Sequence, residues 1–152
     1  MVDHFFDTSA LGKHYHDELG KAVVDGLLAT SGSRHFISRL TAVEIHSALA
    51  KKVRIGQLTE AEFKHLTRRF RADVDAKRFE VIRVLVSHFQ AAEQLVRRLS
   101  LTGNLRTLDA LQLAIALGLN KSNRPVHFVC ADRALCAIAA AEGLSVLNPE
   151  VL

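Results

Sequence analysis

Four acidic side chains in this 152-residue chain are placed where they could act together: Asp7, Glu44, Asp109 and Asp132. Each is expected at the start of a helix. Asp7 and Asp132 also follow apolar, strand-like runs, His4-Phe5-Phe6 and Val126-His127-Phe128-Val129. Strand ends along one edge of a parallel sheet converge in space, so carboxylates distant in sequence can meet there. Converging carboxylates repel unless a cation shares the space, and their hard oxygens suit a hard divalent cation. Each acid also has a structural explanation. Asp7 and Asp132 can cap helices, Glu44 can complete a capping box begun by Thr41, and Asp109 can favour the positive end of its helix. Capping and metal binding are compatible readings, and only the set of four argues for chemistry.

The elements that would position these acids follow from periodicity and punctuation. Strands are expected at residues 4–6, 35–38, 79–84 and 126–129, with a fifth at 144–147. Brief helical character is expected at 8–13, and a longer amphipathic helix at 17–29, with Leu19, Val23, Leu27 and Leu28 on its apolar face. A third helix begins at Thr41 and is closed by Gly56. Thr59-Glu60-Ala61-Glu62 starts a fourth helix as a capping box, and its outer face carries Arg68, Arg69 and Arg71. A helix opening at Ser87 follows. Residues 108–119 are apolar almost all round, which implies a buried helix with Asp109 in its first turn. The last helix runs over 133–142 to Gly143. Strands alternating with helices imply an α/β fold, a three-layer α/β/α sandwich on a mostly parallel sheet of four to five strands.

The length suits one domain spanning 1–152, and 49% hydrophobic residues supply a core. Residues 1–7 contain acids and no long apolar run, unlike a signal peptide, and no stretch is apolar enough to span a membrane. Cys130 and Cys136 read as small core residues without a disulfide framework, in keeping with a cytoplasmic setting. The net charge of +4 and the pI near 9.4 rest on basic clusters. Those clusters could be solvated helix faces. Beside a carboxylate site they favour a polyanionic partner, with Arg68, Arg69, Arg71, Arg106 and Arg133 as candidate contacts.

Four segments carry a family resemblance: Phe5-Phe6-Asp7-Thr8-Ser9-Ala10-Leu11, Leu40-Thr41-Ala42-Val43-Glu44-Ile45, Leu105-Arg106-Thr107-Leu108-Asp109-Ala110-Leu111, and Phe128-Val129-Cys130-Ala131-Asp132-Arg133. In order and across essentially the whole chain, they resemble the acidic motifs of PIN-domain proteins. The compact length resembles the VapC toxins of toxin–antitoxin pairs. The resemblance implies a Mg²⁺- or Mn²⁺-dependent endoribonuclease, with Asp7, Glu44, Asp109 and Asp132 as catalytic and metal-site acids and Thr8 and Ser9 as supporting hydroxyls. It further implies an RNA substrate, a small antitoxin partner and self-pairing into a homodimer. One departure stands out: Cys130 lies where the family often has Thr or Ser, which bears on the posture of Asp132. The expected chemistry is metal-assisted hydrolysis of a phosphodiester without a covalent intermediate, with one ion or two left open.

Other chemistries find less support. His14-Tyr15-His16 lacks a third ligand and reads as surface histidine. No glycine-rich phosphate loop or Gly-x-Ser-x-Gly elbow occurs. A non-catalytic RNA- or partner-binding domain of the same fold, and a DNA-directed nuclease of the same superfamily, remain as alternatives. Aromatic residues are scarce and core-like, so recognition by shape is expected over a base-stacking platform.

Overall fold

The computed structural model describes residues 1–151. In chain order the elements are β1 (Asp3–Phe6), α1 (Thr8–Tyr15), α2 (Lys21–Leu28), β2 (His35–Ser38), α3 (Arg39–Arg54), α4 (Glu60–Asp75), β3 (Glu80–Ile82), α5 (Val86–Leu99), α6 (Thr107–Lys121), β4 (Val126–Val129), α7 (Arg133–Ala141) and β5 (Ser145–Leu147). The strands form one all-parallel sheet in the order β3-β2-β1-β4-β5. The central β1 hydrogen-bonds to both β2 and β4, so the turns that follow these three strands open at one edge.

Strand alternation divides the core in two. Phe5, Phe36 and Phe128 face one side and pack with α5, α6 and α7 through Leu95, Leu113, Ile115 and Leu135. Their neighbours Phe6, Ile37 and Val129 face the other side and meet Leu11, Val24, Ile45 and Phe70 of α1 to α4. A strand covered on both faces reads as continuously apolar, which is why Phe5 and Phe6 are both fully buried. Each such ring contributes roughly 1.5–3 kcal/mol by leaving water.

Four local expectations are corrected. The second helix spans Lys21–Leu28 rather than 17–29, because Gly20 at φ +89° begins it and the chain before it turns. Leu19 is consequently 71% exposed, and Val24 and Leu28 form the buried face. The third helix starts at Arg39, capped by the Ser38 hydroxyl accepting from the Thr41 N–H at 3.2 Å. The third strand is short, Glu80–Ile82. The Thr59–Glu62 capping box and the left-handed Gly56 after α3 are as expected. Among the described residues no helix is long and apolar enough to cross a membrane.

Candidate active site

Asp7 leaves β1 and Asp132 follows the adjacent β4, and both cap helices. The Asp7 carboxylate accepts from the Ser9 N–H at 3.1 Å, and that of Asp132 accepts from the Leu135 N–H at 3.0 Å. The Ser9 hydroxyl couples the two turns: it donates to Asp7 at 2.5 Å and accepts from the Ala131 N–H at 3.0 Å. Glu44 is no cap. With Ser38 holding that role, Glu44 falls in the second turn of α3. Its carboxylate accepts from Gln112 Nε2 at 3.0 Å and lies 3.1 Å from the Thr8 hydroxyl. Asp109 stands one turn before Gln112 on α6, on the same helix face.

All four acids line one cleft of about 700 Å³, together with Thr8, Ser9 and Arg106. Asp109 is not sealed in the core. Its carboxylate keeps 18% exposure and meets the Arg106 guanidinium at 3.3 Å, which also reaches within 4.0 Å of Asp132. Arg106 thus stands among the acids as a partial counter-charge.

The electrostatics are those of crowded anions. Burial pushes the Asp7 carboxyl above its ordinary range; the Ser9 hydrogen bonds oppose this and the nearby Asp109 adds to it. Burial also raises Glu44, with the Thr8 hydrogen bond opposing and the charges of Asp7 and Asp109 reinforcing the rise. Hard carboxylate oxygens whose charged forms are disfavoured by burial and by neighbouring anions fit a divalent cation chemically. In this arrangement, however, no three His, Cys, Asp or Glu side chains among the described residues are grouped closely enough to grip one.

Gln112 was not anticipated. It is 1% exposed, donates to Thr41 Oγ1 at 2.8 Å and accepts from the Ser38 hydroxyl at 2.7 Å. It therefore links β2, α3 and α6 behind Glu44. A lone amide within the apolar run after Asp109 was the available signal. Lys51 and Arg54 also line the cleft. Their spacing of seven and ten residues from Glu44 on one helix would have placed them there.

The remaining candidates separate. Arg106 belongs to the cleft. Arg68 and Arg71 line a neighbouring groove of about 500 Å³ with Arg39 and His46, joined to the acid cleft at Val43. Arg69 instead stacks its guanidinium 5.6 Å over the Tyr15 ring and approaches His14, so it is a packing residue. Arg133, the first residue of α7, is exposed and does not line the cleft. His14 is no surface histidine. It is 4% exposed and bonded to Asp25 at 2.5 Å. Cys130 bears on both acids, its sulfur lying 3.6 Å from the Asp132 backbone carbonyl, 3.9 Å from the Asp7 carboxylate and 3.7 Å from the Ser9 hydroxyl. Ser9 supplies the strong hydrogen bond there, so a weakly donating thiol is tolerated at Cys130. Both cysteines are free, Cys130 buried and Cys136 partly so.

The PIN-domain family model matches residues 4–140. No curated relative matches the chain. Among solved structures, the FitAcB structure from Neisseria gonorrhoeae is similar at TM-score 0.70 and 17% identity, covering 100% of both chains. A toxin–antitoxin complex from Klebsiella pneumoniae is similar at TM-score 0.64 and 17% identity, over 97% of this chain and 98% of that one. VapBC2 from Rickettsia felis, bound to a DNA fragment from its promoter, is similar at TM-score 0.63 and 16% identity, with the same coverage. At these identities the likeness is one of fold.

Proposed function

Because the chain belongs to the PIN-domain family, we propose that it is a Mg²⁺- or Mn²⁺-dependent endoribonuclease, the toxin of a VapBC-type pair. The observation that carries this reading is the lining of one cleft by Asp7, Glu44, Asp109 and Asp132, which come from four separate stretches of chain. Those carboxylates would hold the ion. When bound, it would activate water and neutralise charge on the scissile phosphodiester. The chain's own residues do the positioning. Ser9 orients Asp7, while Thr8 and Gln112 orient Glu44. Helix N-termini at Asp7 and Asp132 lend partial positive charge to a site that is otherwise strongly negative. Arg106, the exposed cation beside Asp109 and Asp132, would meet a phosphate oxygen of the RNA. Arg39, Arg68 and Arg71 would guide the RNA backbone along the adjoining groove.

Toxin–antitoxin complexes among the structures of similar fold support a small antitoxin covering the cleft. Pairing of two copies and action in the cytoplasm complete the reading, the latter in keeping with two free cysteines. The test is the purified chain with RNA and, in parallel, DNA, in Mg²⁺ or Mn²⁺. RNA should be cut, with cleavage lost in Asp7→Asn and in excess EDTA. Cleavage that survives both controls would overturn the assignment.

A further inference from the structure

A second cavity of about 470 Å³ opens beside the acid cleft, and Thr8, Ser9, Ala48, Lys51 and Asp132 line both. Two ion pairs form part of its walls: Lys13, only 4% exposed, with Glu150 at 2.6 Å, and Lys52 with Glu18 at 3.3 Å. The seam is different. Lys51 there forms no ion pair among the described residues, and it lies two helical turns from Glu44, about 10 Å along α3.

Gly12 bounds the cavity, and packing does not demand a glycine there. A Cβ on Gly12 would meet nothing nearer than Ile45 Cδ1 at 3.9 Å. Glycine within a helix costs stability relative to alanine, and here its missing side chain keeps the cavity open.

We propose that this cavity is a nucleotide subsite, taking the base next to the scissile phosphodiester while Lys51 holds the phosphate between them. The inference rests on the proposed RNA cleavage. The paired walls add no net charge, so they offer little to a further phosphate. They do present ammonium donors and carboxylate acceptors side by side, the complement of a base edge. The unpaired cation stands where the strand must pass from the acids into the cavity.

The test uses Gly12→Met, which improves helix propensity and fills the cavity, and Lys51→Ala. Cleavage of a short randomised RNA pool is mapped to the nucleotide. In parallel, anisotropy reports binding of a fluorescent RNA trinucleotide, with Ca²⁺ replacing Mg²⁺ so that binding is read without turnover. Wild type should prefer certain bases at one position beside the cut. Gly12→Met should flatten that preference and weaken trinucleotide binding by about tenfold, the scale of one lost base contact. Lys51→Ala should raise KM with kcat little changed. Unaltered base preference and unaltered trinucleotide binding in Gly12→Met would overturn the subsite and leave ribonuclease action standing. Conversely, a wild type that binds the trinucleotide in a Gly12-dependent way but never cuts RNA would remove the catalytic reading and retain the subsite. Neither binding nor cleavage would remove both.

Discussion

At the amino ends of β2, β1 and β4, His35, His4 and His127 lie side by side, with His4 in register with each neighbour. At and just beyond the carboxyl ends of the same three strands come Ser38, Asp7 and Asp132, with Glu44 and Asp109 brought in from α3 and α6. Parallel register therefore gathers like titratable groups at both ends of the sheet. The histidine row is closed. His4 stacks on His35 at 5.5 Å and meets His127 edge-on at 6.0 Å, and the Nδ1 atoms of His4 and His35 are buried without a hydrogen-bond partner. Burial, helped by its histidine neighbours and opposed by Asp3, holds His4 down to about 4. Imidazoles can relieve crowding by giving up a proton near neutrality. Carboxylates cannot do so at pH 7 without taking one up. The acid end accordingly keeps an open cleft, with Arg106 set among the acids and the Asp7 and Glu44 carboxyls raised. One end disposes of its charge, and the other retains charge that a cation must complete.

The largest effect should come from cancelling one acid. Asp7→Asn keeps an N-cap-competent side chain but removes a charge that the site needs. RNA cleavage should fall at least about a hundredfold, as on loss of a preorganised charged group. Stability should move the other way. A carboxyl raised in the fold favours its neutral form, so the metal-free protein loses stability as pH rises from the ordinary carboxylate range through the folded value. Asp7→Asn should abolish that loss and raise the metal-free Tm by roughly 2–4 °C. Mg²⁺ should stabilise wild type by about 2.7 kcal/mol at a hundredfold excess over its Kd, and Asp7→Asn far less. Scanning calorimetry with and without Mg²⁺ checks both. A metal-free Asp7→Asn less stable than wild type, with no Mg²⁺ effect on either, would make Asp7 a helix cap alone.

The histidine end should respond to pH with its own signature. A histidine depressed in the fold contributes stability that is present above the unfolded value near 6.5 and is lost as pH falls toward the folded one. His4, at about 4, and His35, lowered by burial and by Arg78, both act in this window. Wild-type Tm should therefore fall between pH 7 and pH 4.5, and His4→Phe should flatten part of that fall, with about 2–4 °C per kcal/mol recovered. Parallel melting curves for the two proteins across that range would erase the contrast between the ends.

How much of this was legible in the residues follows from the range of the forces involved. The alternation of Phe5 and Phe6, the apolar run around Asp109 and the glycines that close helices encode elements locally, and the parallel three-layer order follows from them. Asp7 and Asp132 were legible as caps and as strand-end acids because both roles depend on nearest neighbours. Gln112 was not, since its partners Ser38, Thr41 and Glu44 lie about 70 residues away and only tertiary packing joins them. Arg69 looked equivalent to Arg68 because sequence adjacency conceals helix azimuth: one step of about 100° turns it from the open groove onto Tyr15. Leu19 misled for a related reason. Its apolar spacing fitted a helix that Gly20 begins one residue later.

A smaller effect probes the counter-charge. Arg106 is an exposed partner of Asp109, and such pairs contribute little to stability, so Arg106→Ala should leave Tm nearly unchanged. It should nonetheless tighten Mg²⁺ binding several-fold, because a resident cation no longer competes for Asp109 and Asp132, while KM for RNA rises through the lost phosphate contact. Isothermal titration with Mg²⁺ separates these effects from a purely structural role, which would leave the metal affinity where it was.

The smallest effect lies farthest from the acids. The groove holding Arg68 and Arg71 joins the cleft only at Val43, so its charges should act on RNA through the backbone and leave the carboxylates untouched. Arg71 already has Asp75 at 3.7 Å, whereas Arg68 has no carboxylate partner among the described residues. Arg68→Ala should therefore flatten the salt dependence of RNA binding by close to one phosphate's worth, a slope change of about 0.7 for a single strand. Arg71→Ala should change it less, and Arg69→Ala should lower Tm with no change in slope, because its cation sits over Tyr15. Equal slopes for all three substitutions would mean that the RNA does not follow this groove, and the offset to the acid cluster would then have to come from Lys51, Arg54 and Arg106 within the cleft itself.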